Sequence, residues 1–271
     1  MSSEGELRAG SDWTALATAE ARSAEANHDS PWFDDTLAAA CIAAARHSAP
    51  GRGQRPYSQE TDELWRRWTF AYVQIRTRFF DEQLLEAVSA GCRQVVLLAA
   101  GLDARAFRLR WPDGTHIFEV DLPQTLDFKE TVLAARGAAP RCQRTTVSAD
   151  LGGNWGAALA AAGHRPHRPT AWLAEGLQRY LADDAYEGVL DALERLTARP
   201  SRWPSITTTA HGARRCLKLC AAQALRTASW RRGNRRLVKT LWRRSPNTVG
   251  RPRRTALPSG PERMDVHLPS T

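Results

Sequence analysis

The chain has 271 residues, 42% of them hydrophobic and 25% charged, enough for one large α/β domain with a buried core. Its net charge of +9 is unevenly spread: residues 200–271 hold 16 basic against two acidic groups (+14), and residues 1–199 hold 22 basic against 27 acidic (−5). No apolar run approaches the ~18 residues of a membrane helix, the polar, acidic start MSSEGELRAGSDW is unlike a signal peptide, and five scattered cysteines without CxxC spacing argue for reduced thiols, a cytoplasmic protein and no metal site.

In chain order, the first 75 residues read as helical. Asp34–His47 is Ala-rich, with acids in its first turn and cations in its last, as the helix dipole favours. The loop Ser48–Pro56 breaks the pattern. Trp65, Trp68, Tyr72, Ile75 and Phe79 then recur at three- and four-residue steps, which puts one aromatic stripe on the core-facing side of a helix.

From position 94 short apolar runs alternate with helical stretches. Gln94–Ala99, His116–Asp121, Arg144–Asp150 and Thr170–Glu175 read as strands, and Leu122–Arg136, Trp155–Ala162 and Asp183–Ala198 as helices. Repeated β-then-α order implies a parallel sheet with helices on its faces. Ligands of such sheets bind beyond the carboxyl ends of the strands, and the acids near those ends are Asp103, Asp121, Asp150 and Glu175.

That pattern has a chemical meaning. A ribose with two free hydroxyls is well held by a carboxylate at the end of the second strand, the place of Asp121. A glycine after the first strand lets the backbone approach a ligand, the place of Gly101. Asp150 is placed to cap an adenine amino group, with Leu151 against the ring. There is no GxxxxGK[ST], which argues against phosphoryl transfer, and no GxGxxG, which argues against a dinucleotide dehydrogenase. The loop HRPHRP lacks the partners a metal would need. His116, His164 and His167 read as surface or strand residues rather than bases, and no catalytic base is assigned.

Gln94–Lys129 (QVVLLAAGLDARAFRLRWPDGTHIFEVDLPQTLDFK), Trp172–Leu181 (WLAEGLQRYL) and Arg76–Leu84 (RTRFFDEQL) resemble the actinobacterial S-adenosylmethionine-dependent methyltransferases related to leucine carboxyl methyltransferases, over about residues 11–199. The resemblance implies a Rossmann-like class I methyltransferase fold, with residues 1–90 as an N-terminal helical cap and residues 91–199 as the cofactor-binding core. Residues 200–271 depart from the family pattern: they read as a basic Arg/Pro-rich tail, out of frame or disordered, and the C-terminal part of the sheet is expected to be incomplete. The resemblance further implies S-adenosylmethionine as cofactor. Arg76 is matched to the arginine that pairs with the cofactor's carboxylate, with Arg78 as substitute. Gly101 and Asp103 are matched to the loop beside its methionine part, Asp121 to the ribose carboxylate, Asp150 and Leu151 to the adenine contacts, and Glu175 to the strand-four acid.

Each of these residues also has a plain structural reading. Arg76 could be a solvated helix charge, Asp103 and Asp150 could serve a helix cap and a turn, and Glu175 could pair with Arg179 one helical turn on. The implied acceptor is a carboxylate or another small molecule. A carboxylate is ionised at neutral pH and needs a cation rather than a base, and Arg105 and Arg108 are the arginines named for it. Two departures stand out: Ala99–Ala100–Gly101 where relatives carry a glycine-richer turn, and polar Gln178 and Arg179 where they carry apolar residues.

The tail admits three readings: an out-of-frame translation of a GC-rich gene, a basic arm for nucleic acid or acidic lipid with Trp230 and Trp242 among its arginines, or a divergent end of the domain. Ser205–Ala210 reads as a short strand and Ala221–Trp230 as a helix. A nucleic-acid-binding protein on a methyltransferase-like scaffold and an inactive truncated methyltransferase are therefore the alternatives to an active enzyme. Nothing in the sequence sets the oligomeric state.

Overall fold

A computed structural model of the chain describes residues 11–48, 59–177, 181, 183–197 and 205–206. Three helices come first: α1 (Ser11–Glu25), α2 (Thr36–Ser48) and α3 (Gln59–Ser89). Then follow β1 (Gln94–Leu98), the single turn α4 (Arg105–Arg108), β2 (His116–Asp121), α5 (Pro123–Ala135), β3 (Gln143–Ser148), α6 (Trp155–Ala161), β4 (Thr170–Glu175), α7 (Asp183–Leu196) and the two-residue strand β5 (Ser205–Ile206).

The strands form a parallel sheet in the order β3-β2-β1-β4-β5. This is the Rossmann-like α/β arrangement that the β-then-α alternation predicts. All five residues of β1 are buried, because helices cover both faces of the sheet. Val95, Leu97, Ile117, Ala171 and Leu173 pack against Phe80, Leu84 and Val88 of α3 and Ala106 and Phe107 of α4. Val96, Leu98, Phe118, Val120, Val147 and Trp172 pack on the other face against Trp155 and Leu159 of α6 and Val189 and Leu193 of α7. Adjacent residues of a strand point to opposite faces, so one run of apolar residues serves two cores.

The N-terminal helices form a third cluster. Ala19 of α1 and Ala38, Cys41 and Ala45 of α2 meet Phe128 and Val132 of α5 and Leu102 of the loop after β1. Asp35 caps α2 by accepting from the N–H of Ala38 (3.0 Å), and its other oxygen pairs with Arg22 Nε (2.8 Å). In the predicted aromatic stripe, Ile75 is buried and Tyr72 and Phe79 are half-buried, consistent with a core-facing helix. Trp65 and Trp68 lie on α3, outside the residues whose side chains are described.

The expected bounds of the core strands and helices lie within two residues of those observed, and two of the differences bear on the site and the tail. β3 ends at Ser148, so Asp150 sits in the following loop, where its Oδ1 accepts from the N–H of Gly152 (2.9 Å). The short strand expected at Ser205–Ala210 is seen at Ser205–Ile206, where it pairs in parallel with the end of β4. β4 therefore has a neighbour on both sides at Ala174. The expected helix Ala221–Trp230 and the rest of the basic tail lie outside the described residues, as do Gln178 and Arg179.

Candidate functional site

The order β3-β2-β1-β4 reverses direction between β1 and β4, and a crevice opens there at the carboxyl ends of the strands. It is a cavity of about 400 Å³, within the range of small-ligand sites. Arg76, Gly101, Asp103, Asp121, Asp150, Leu151 and Glu175 all line it. The structure thus brings together all seven residues named from the sequence, from α3 and from four different strand ends. Arg78, the named substitute for Arg76, does not line the cavity. It is exposed, paired with Glu82 (2.5 Å), and donates to the carbonyl of Trp32 (3.1 Å).

Asp121 ends β2 at the centre of the cavity floor. Its Oδ2 accepts from the N–H of Gly101 (2.6 Å) and its Oδ1 from the N–H of Leu122 (2.7 Å). Burial raises the pKa of its carboxyl above the ordinary range, against the pull of these two backbone hydrogen bonds and of Lys129. An ionised carboxylate offers about four acceptor positions. The two N–H groups and the Thr125 hydroxyl use roughly three of them, which leaves about one for a ligand hydroxyl, and about two where the ligand displaces Thr125. Gly101 makes its approach with φ +51°, a left-handed conformation that suits glycine. Ala99, two residues earlier, has the same φ of +51° without a glycine's freedom.

The charges on the β4 side form a connected set. Arg76 is buried, lies 5.1 Å over the Tyr72 ring, and places Nε 2.6 Å from Glu175 Oε1. Glu175 Oε2 accepts from Arg105 Nη1 (3.0 Å). Arg105 also contacts Asp103 Oδ2 through Nη1 and donates from Nε to Asp81 Oδ1 (2.7 Å). Its Nη2 has no partner among the described residues. Arg108 grips both oxygens of Asp81 (2.5 and 2.7 Å). Burial pushes Asp103 upward, but Arg105, Arg22, Lys129 and Arg108 together outweigh it and bring its pKa down to about 2. Burial likewise opposes the ionisation of Glu175, and Arg76 and Arg105 overcome it, so its pKa is lowered.

These contacts change two readings. Glu175 pairs with Arg76 and Arg105, which come from other elements, while Arg179, the expected partner one helical turn on, lies outside the described residues. Arg105 and Arg108 were the cations expected to hold an acceptor. Arg105 is buried and Arg108 half-buried, both are spent on Asp81, Asp103 and Glu175, and neither lines the cavity. Asp103 meets both the start of α4 and the cavity. Its Oδ1 accepts from the N–H of Arg105 (2.7 Å), fixing the start of α4, while the residue lines the cavity.

Sequence reasoning missed the contribution of α1. Ala15, Thr18 and Arg22 stand at i, i+3 and i+7, one face of a helix, and form part of the cavity wall. Arg22 is 8% exposed and donates from Nη2 to the carbonyl of Leu102 (2.6 Å), which ties the first helix to the loop after β1. A lone arginine on the alanine face of ATAEARSAE was the available signal. His116 and His164 sit at the opposite end of the sheet, bonded to Thr145 (2.9 Å) and Thr170 (3.2 Å), and His167 is exposed. None of the three lines the cavity. Among the described residues there is no cluster of His, Cys, Asp and Glu able to hold a metal ion, and no helix is long and apolar enough to cross a membrane.

The family model for leucine carboxyl methyltransferase matches residues 15–194, which contain every element lining this cavity. The chain belongs to the leucine carboxyl methyltransferase family. Three actinobacterial relatives carry the provisional name S-adenosyl-L-methionine-dependent methyltransferase. The one from Parafrankia sp. (strain EAN1pec) is 50% identical over 199 residues, 72% of this chain and 62% of its own length. The one from Saccharopolyspora erythraea is 47% identical over 189 residues, 70% and 64% of the two chains. The one from Frankia alni is 46% identical over 191 residues, 70% and 66%. The chain therefore spans slightly under two thirds of the length of these relatives. A solved structure from Thermobifida fusca, titled with a provisional methyltransferase name, is 16% identical, with a TM-score of 0.39 over 76% of this chain and 72% of that one.

Proposed function

We propose that the cavity binds S-adenosylmethionine and that the chain carries out methyl transfer to a carboxylate or another small-molecule oxygen acceptor. The observation that carries this reading is Asp121, a carboxylate at the end of the second strand whose two oxygens are each half-used by the backbone. The open acceptor position, with the one a ligand takes over from Thr125, suits the two neighbouring hydroxyls of a ribose. Family membership and the relatives' names support the same choice.

The remaining lining residues fit the other parts of that molecule. Arg76 is the cation for its carboxylate. Asp103 and Glu175, both ionised at neutral pH, suit its ammonium. Asp150 lies in a solvent-facing loop where its second oxygen is open to an adenine amino group, and Leu151 offers an apolar face to the ring. Bound there, the sulfonium donor brings a methyl group already activated by its positive charge. The protein's work is then positioning and exclusion of water, for which a wall of Leu97, Leu98, Leu102, Leu122, Leu173 and Leu177 is suited.

Calorimetric titration of the full chain with S-adenosylhomocysteine tests the site. Saturable one-to-one binding is expected, and folded protein that takes up none at millimolar ligand would refute the reading. Release of S-adenosylhomocysteine during incubation with S-adenosylmethionine and a panel of small carboxylic acids tests the reaction separately. Binding without turnover on any acceptor would leave a cofactor-binding protein rather than an active enzyme.

A further inference from the structure

We propose that Arg105, which does not line the cavity, is a positioning residue that fixes the carboxylates of Asp103 and Glu175 to receive the ammonium of the methyl donor. The proposal rests on the pocket reading above and deepens it. Three acids from three separate elements converge on one guanidinium: Asp81 from α3 (2.7 Å), Asp103 from the loop after β1, and Glu175 from the end of β4 (3.0 Å). Only the last two face the cavity.

The arginine is itself held on its backbone. Its N–H donates to Asp103 Oδ1 (2.7 Å), and its carbonyl accepts from Trp111 Nε1 (2.9 Å) and the N–H of Leu109 (3.1 Å). Its side chain is 2% exposed, so its N–H groups are directed at these carboxylates rather than at bulk solvent. A planar fork with fixed donors can bridge acids in this way, and a lysine cannot.

Charge balance gives the consequence. Arg76, Arg105 and Arg108 face Asp81, Asp103 and Glu175, three against three. Arg22, paired with Asp35, and Lys129, paired with Glu119, are the further charges acting on Asp103 from α1 and α5. Without Arg105 the central set carries one excess negative charge in a buried place. Burial of that excess favours proton uptake by one of the two cavity carboxylates, which removes an anionic partner from an ammonium. The lowered pKa values of Asp103 and Glu175 agree with this arrangement.

The test uses the full chain, Arg105→Gln and Arg105→Lys, titrated with S-adenosylhomocysteine and with 5′-methylthioadenosine between pH 6 and 8. The second ligand has the sugar and base but no amino-acid end. Wild-type affinity for S-adenosylhomocysteine should be flat across this range. In Arg105→Gln it should fall about tenfold for each unit that a carboxylate pKa rises into the window, steepening towards pH 6. Methylthioadenosine affinity should stay within about twofold. Arg105→Lys keeps the charge and should show a loss without a pH slope. A flat profile in Arg105→Gln would overturn the proposal, as would an equal loss for both ligands, which marks a merely structural role. If Arg105→Gln does not fold, Arg105→Lys decides the matter: wild-type affinity for both ligands, or equal loss for both, overturns the proposal. Failure of the pocket reading looks different, with wild-type protein binding S-adenosylhomocysteine no more tightly than methylthioadenosine.

Discussion

Substituting Asp121 by Asn changes one oxygen into an NH2 group and little else. The backbone N–H groups of Gly101 and Leu122 point at the two carboxylate oxygens from 2.6 and 2.7 Å. An amide can accept from one of them, so the other donor faces a second donor. Hydrogen bonds to charged groups contribute about 1.5–3 kcal/mol. Two effects offset the loss: the residue is half-buried, so water can reach the stranded N–H, and the neutral amide is spared the burial that raises the pKa of the carboxyl. The net cost to folding should be about 1 kcal/mol or less, a fall in Tm of about 2–4 °C for a domain of this size. The cost to sugar recognition has no such offset. Loss of a charged acceptor for two hydroxyls should weaken S-adenosylhomocysteine binding by roughly 10- to 100-fold, about 1.4–2.8 kcal/mol. A double cycle isolates that part: methylthioadenosine and its 2′-deoxy analogue, each titrated into wild type and Asp121→Asn. Wild type should prefer the ribose form strongly and the variant weakly. Equal preference in the two proteins, with both folded, would mean that Asp121 does not grip the sugar.

Further outcomes follow from the same contacts. Stability should fall on acidification in two windows. The folded-state pKa of His164 is lowered to about 4 by burial, so its contribution is complete above its unfolded value near 6.5 and is lost as pH falls towards 4, roughly 2–3 kcal/mol. Asp103, at about 2 in the folded state, contributes above about 4 and loses about 2 kcal/mol as pH falls towards 2. Urea unfolding from pH 7 to 2 should show both windows, and His164→Gln should remove the upper one. Lys129→Ala should cost about 3 kcal/mol, because it leaves Glu119, 0% exposed, with Arg144 as its one remaining ionic partner among the described residues; a change below 1 kcal/mol in the same assay would contradict the pairing. Ala99→Gly should raise stability by about 0.5 kcal/mol, since relief of the left-handed strain exceeds the added freedom of the unfolded chain; a lower midpoint would show that the Ala99 methyl packs too well to lose.

The sheet and the cavity floor were legible in the sequence for a common reason. A strand covered on both faces reads as an unbroken apolar run, and the first polar residue after the run lies at its exit. Glu175 stands at just such a place, Asp121 closes a run that buried Glu119 interrupts, and Gly101 stands where the chain must turn. β3 was harder to place: its solvent-facing residues carry no apolar signal, and its end was set two residues too late. What the sequence could not yield is pairing across long separations. Arg105 meets Asp81 across 24 residues and Glu175 across 70, and Arg22 meets Leu102 across 80. No local spacing encodes such contacts. An arginine on a one-turn helix near a cavity reads locally as a free cation, and the fold gives it three anions. The same fact bears on ligand choice. Arg76, Arg105 and Arg108 are matched one for one by Asp81, Asp103 and Glu175, so a zwitterion can trade partners within the set at no net change of buried charge. A ligand with only an anionic end cannot. Among molecules that share a ribose and a base, the cavity should therefore favour one whose far end carries both an ammonium and a carboxylate.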